Sequence, residues 1–121
     1  MEYQNFIDGQ FVGSSDGQTF EQLDPANLNN VTGTWPKSTR EDARRAIEAA
    51  HAAFPGWSGL GVHQRAEIMA KAVTAMKART EEIAAILNEE NGKTLNEART
   101  EVGSAVREME FQISQGLAMC G

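Results

Sequence analysis

The chain has 121 residues, 40% of them hydrophobic and 7% aromatic, which suits one ordinary globular domain. Its formal net charge of -6 argues against a nucleic-acid face or an anionic membrane surface, since both need clustered Lys and Arg. The single cysteine, Cys120, excludes an internal disulfide and a multi-cysteine metal site.

Residues 5–12, NFIDGQFV, predict a β-hairpin. Phe6-Ile7 and Phe11-Val12 flank Asp8-Gly9, a pair favoured where a two-residue turn needs positive φ. Ser14-Ser15-Asp16-Gly17 predicts a second turn. Thr19 to Leu23 alternates in strand fashion, Asp24-Pro25-Ala26-Asn27 reads as a turn, and Val31 to Trp35 as a return strand. Pro36 ends the strand region. A lone two-stranded hairpin is marginal in water, so these strands need a surface to lie on.

Three helices are expected, over residues 39–54, 63–91 and 95–117. Thr39 with Asp42 suits a helix start, and Ala43, Ala46, Ile47, Ala50 and Phe54 mark one face of a helix that stops by Pro55-Gly56. A loop with Trp57 and the two glycines of SGLGV follows. Ile68, Ala72, Val73, Met76, Ile83, Ile86 and Leu87 recur at three- and four-residue steps, and no Gly or Pro interrupts residues 62–91. Gly92 then tolerates a left-handed turn, and Thr94 with Glu97 has the spacing of a capping box. The last helix carries Leu95, Ala98, Val102, Ala105, Met109 and Ile113 on its stripe. Gly103 inside it suggests a close packing contact.

The residues alone show no activity. No Gly-x-Gly-x-x-Gly or Walker-type loop is present, and Gly9, Gly13 and Gly17 do not lead straight into a helix. His51 and His63 lack neighbours in metal-ligand spacing. Cys120 reads as a small buried residue, and Met69, Met76 and Met109 read as core. Lys93 is either an anion-holding residue or a solvated turn lysine. Glu101 fits simple helix electrostatics. The opening MEYQNF lacks a basic region and an apolar core, so no signal peptide is expected. No run approaches ~18 apolar residues, so no membrane span is expected either. The expected location is the cytoplasm.

The string Glu90-Asn91-Gly92-Lys93-Thr94-Leu95, with Glu97-Ala98 and Glu101-Val102, resembles the E-x-G-K-[PT]-L-x-E-A-x-x-E-V segment of the aldehyde dehydrogenase superfamily. Phe6-Ile7-Asp8-Gly9 resembles that family's opening hairpin. Asp24-Pro25-Ala26 resembles its N-P-A/S turn, with Asp where Asn is usual. Thr39 to Ala43, Ala46-Ile47, Ala49-Ala50, Ala53-Phe54, Trp57 and Arg65 to Ile68 resemble further landmarks in the same order. The chain looks nearest to the branch that oxidises short dicarboxylic semialdehydes, such as succinate or ketoglutarate semialdehyde.

The resemblance implies a mainly α chain with an N-terminal β-hairpin arm, the N-terminal part of the family's α/β fold without its parallel sheet. Residues 1–36 would be the arm, and 37–121 a truncated helical segment of the coenzyme-binding domain. Family members use NAD or NADP and turn an aldehyde into a carboxylate through a cysteine nucleophile, a glutamate base and an asparagine oxyanion donor. None of these roles transfers to a residue here, and Cys120 does not match the family's catalytic cysteine. The expectation is therefore no catalytic, cofactor-binding or metal-binding residue in this chain, and no activity or bound cofactor on its own. Its partner would be the remainder of a longer enzyme or a second copy. The alternative is a small helical interaction module derived from that family.

Overall fold

Asp8 and Gly9 both take positive φ, 51° and 74°, which closes the first hairpin in two residues. In a computed structural model that describes residues 1–119, β1 (Asn5–Ile7) pairs antiparallel with β2 (Gln10–Val12), Phe6 opposite Phe11. β3 (Thr19–Asp24) pairs antiparallel with β4 (Asn27–Pro36). The Asp24 carboxylate accepts from the Ala26 amide at 2.8 Å, so the side chain braces the turn across Pro25. β4 begins four residues earlier than Val31, and its register shifts at Leu23 and Asp24.

Four helices follow: α1 (Arg40–Ser58), α2 (Val62–Ala78), α3 (Thr80–Asn91) and α4 (Leu95–Ala118). They depart from expectation in two places. α1 runs through Pro55 and takes in Trp57. Proline's fixed φ is compatible with a helix, but Pro55 has no N–H to donate to the preceding turn, so the last turn of α1 lacks that bond. The expected 63–91 helix is two helices. Arg79, at φ -112° and ψ 18°, leaves the helical region between α2 and α3. Its amide bonds the Met76 carbonyl at 3.1 Å, and the Thr80 hydroxyl caps the Lys77 carbonyl at 2.9 Å. These satisfy the orphan carbonyls that a break creates.

The chain forms two compact units, Met1–Ser58 and a helical unit that begins at Gly59. In the first, β1 lies against α1, and Asn5 Nδ2 donates to Ser38 Oγ at 2.8 Å just before the helix. The expected α1 face stays wet: Ile47 is 70% and Phe54 61% exposed, while Ala46 and Ala49 are half-buried. In the second unit α4 packs against both α2 and α3. Its seam is Ala84, Ala98 and Val102, with Ile83 and Leu87 against them. Val73 and Val106 are also buried. Here Val106, not Ala105, turns inward, and Met69 is exposed. A Cβ on Gly103 would meet only the Arg107 guanidinium, at 3.6 Å, so no close backbone contact requires that glycine. The connection ahead of α2 is a capped start: Gly61 N donates to Gln64 Oε1 at 3.0 Å, and Arg65 Nη1 to the Leu60 carbonyl at 2.5 Å. No helix among the described residues is long and apolar enough to cross a membrane.

Candidate functional site

The turn between α3 and α4 holds the most distinctive residues of the chain. Gly92 takes φ 74°, and its amide bonds the Asn88 carbonyl at 2.9 Å, so a left-handed residue ends α3. Asn88 Nδ2 donates to the Lys93 carbonyl, bracing the turn from the helix behind it. Thr94 and Glu97 form a capping box: Glu97 N donates to Thr94 Oγ1 at 3.3 Å, and Thr94 N to Glu97 Oε2 at 3.0 Å. The Thr94 hydroxyl also donates to Glu97, and these bonds hold the Glu97 carboxyl below the usual carboxylate range.

Lys93 and Glu101, read separately in the sequence, meet as an ion pair. The lysine side chain is only 20% exposed, so its charge serves the protein's own carboxylate and not a solvated surface. Two more ion pairs tie α4 to its neighbours. Arg99 holds Glu81 of α3 at 2.8 Å, and Lys77 of α2 meets Glu110 at 2.5 Å. Such exposed pairs define orientation more than stability.

A second node joins the expected Thr39–Asp42 helix start to a distant turn. Asp42, in the first turn of α1, is 2% exposed. It accepts from the backbone amides of Thr39, at 2.8 Å, and Ser15, at 3.1 Å, and from both their hydroxyls, at 2.9 and 3.1 Å. The Thr39 amide, followed by that of Ser15, lowers its pKa to about 2 against the effect of burial. Asp42 therefore caps α1 and fastens the 14–17 turn to it. The Thr39-x-x-Asp42 spacing announced the cap. Nothing local announced Ser15, which lies 27 residues away.

In both nodes carboxylates and hydroxyls satisfy one another, an arrangement that braces a helix start. His51 and His63 are exposed. Cys120 lies outside the described residues. Among the described residues no three His, Cys, Asp or Glu side chains come together in a way that could hold a metal ion. Gly9 lies within a hairpin turn and Gly17 just before β3, so neither opens a helix that could cradle a phosphate. The helix starts at Thr39–Asp42 and Thr94–Glu97 already present carboxylates to their own amides, and these would repel a diphosphate.

The aldehyde dehydrogenase family profile matches residues 11–120. This chain belongs to the aldehyde dehydrogenase family. It is 35% identical over 119 residues to the α-ketoglutaric semialdehyde dehydrogenase of Bacillus subtilis (strain 168), covering 98% of this chain and 24% of that protein. It is 37% identical over 117 residues to malonate-semialdehyde dehydrogenase 1 of Bacillus licheniformis, covering 97% of this chain and again 24% of the relative. Among solved structures, an NAD-dependent aldehyde dehydrogenase from Sinorhizobium meliloti superposes with a TM-score of 0.92 at 32% identity over 95% of this chain and 23% of that one. The chain thus spans about a quarter of the length of the aldehyde dehydrogenases it matches, and its hairpins and helices have the fold of an N-terminal part of theirs.

Proposed function

We propose that this chain is the N-terminal segment of an NAD(P)-dependent enzyme that oxidises a short dicarboxylic semialdehyde to the carboxylate. The carrying observation is a match along nearly the whole of this chain to about a quarter of semialdehyde dehydrogenases. Residues 37–121 act as a helical segment of the coenzyme-binding domain, and the enzyme works in the cytoplasm. The nicotinamide cofactor supplies a hydride acceptor when bound to the longer protein. No cofactor contact is proposed for the starts of α1 and α4, where Asp42 and Glu97 already accept from backbone amides. Their role is to brace the fold: Lys93–Glu101 and the Thr94 cap set the entry of α4, and Asp42 sets the entry of α1.

The chain alone is proposed to be inactive. The test follows NADH and NADPH formation with succinate, malonate and ketoglutarate semialdehydes, using both this chain and the continuous longer reading frame. Turnover is expected from the longer protein only. Turnover by the 121-residue chain that disappears in Cys120→Ser would overturn the reading.

A further inference from the structure

The segment before β1 crosses β4 and is fastened at one point. Tyr3 N donates to the Thr34 carbonyl and Thr34 N to the Met1 carbonyl, both at 2.9 Å, and Glu2 bridges Thr34 in parallel. The Tyr3 ring stacks on Trp35 with centroids 3.9 Å apart and planes within 5°. The same ring lies over Gly33. A Cβ there would sit 2.4 and 2.8 Å from Tyr3 ring carbons and 3.1 Å from the Met1 carbonyl oxygen. That oxygen is already bonded to Thr34 N, so it has little room to yield. Gly33 is thus a socket shaped for the tyrosine. The fit is imperfect in one respect: Trp35 Nε1 is buried without an acceptor among the described residues, a state that costs free energy.

We infer that Met1–Tyr3 is a strap that opens and closes on β4 independently of the β3–β4 hairpin, with Tyr3 as its latch and Gly33 as the socket. Two backbone bonds and one ring stack hold it, whereas six residue pairs hold β3 to β4. Lifting the strap lets water reach the indole N–H, which offsets part of the loss. Opening exposes the Thr34 amide and carbonyl along with one face of Trp35, while Lys37 N, at the open end of the same hairpin, keeps its bond to the Gln18 carbonyl.

Amide hydrogen exchange by NMR on the full chain tests this. The Tyr3 and Thr34 amides should exchange together and faster than the Lys37 amide. Tyr3→Ala should raise exchange at Thr34 roughly two- to tenfold, the value of an aromatic stack, with Lys37 unchanged. Tyr3→Phe keeps the ring and should restore protection. Gly33→Ala should act like Tyr3→Ala. If that variant fails to fold, Lys37 protection reports it and the Tyr3 pair decides alone. Thr34 exchange that tracks Lys37 in the parent and in Tyr3→Ala would overturn the proposal, since strap and hairpin would then open as one.

Discussion

Val102 is the most informative residue to truncate. It is 3% exposed and packs in the seam with Ala84 and Ala98, each 0% exposed. Val102→Ala removes two methyl-sized groups, a transfer loss of about 1.6 kcal/mol at ~0.8 kcal/mol each. The unfilled space adds to this, so about 2 kcal/mol is expected in total. The opposite change, Ala98→Leu, forces three carbons into the same closed seam and should cost about 1–3 kcal/mol by overpacking. A helical unit of this size has roughly 3–9 kcal/mol of stability to lose. Urea unfolding followed by circular dichroism at 222 nm measures both, and at a slope of ~1 kcal/mol per molar the Val102→Ala midpoint should fall by ~2 M. Ile68→Ala, at a residue 46% exposed, is the control and should cost less than either. If Val102→Ala loses under ~0.5 kcal/mol and Ala98→Leu is neutral, the helices are not close-packed there and the reasoning fails.

Asp42 should make stability acid-sensitive. Its folded pKa of about 2 lies below the ordinary aspartate value of 3.8. Its contribution is therefore fully present above about pH 4 and lost as pH falls towards 2. The stability gap between the parent and Asp42→Asn should be widest above pH 4 and close towards pH 2; a gap constant with pH would contradict this. Gly92→Ala places a Cβ at φ 74° and should destabilise by about 1 kcal/mol, whereas Gly103→Ala, at a helical position with room for a Cβ, should stabilise by roughly the same amount. Phe6, Phe11, Ile47, Phe54 and Phe111 are each at least 55% exposed, so the isolated chain should self-associate at high micromolar concentration. Sedimentation equilibrium showing a cooperatively folded monomer would refute that.

Features built from neighbours in sequence were legible in the residues themselves. Asp8-Gly9 demanded positive φ and closed a hairpin; Gly92 ended one helix and Thr94 with Glu97 began the next. These are short-range contests between backbone and side chain, settled within three or four residues. The family signature was legible for the same reason, since it falls largely on those caps and turns. The candidate nodes were only half legible. Lys93 and Glu101 were each visible, but the sequence carried no statement that they pair across eight residues. Asp42 announced its cap and concealed its grip on Ser15. The tertiary structure decided the rest. Periodicity marks an apolar stripe but not which edge of it a neighbour will cover, so Val106 was buried and Ala105 was left in solvent. It equally could not show the break at Arg79 between two helices that both pack on α4. Nor could it show that Gly33 leaves space for Tyr3, because that demand comes from a ring thirty residues away and not from the glycine's own backbone.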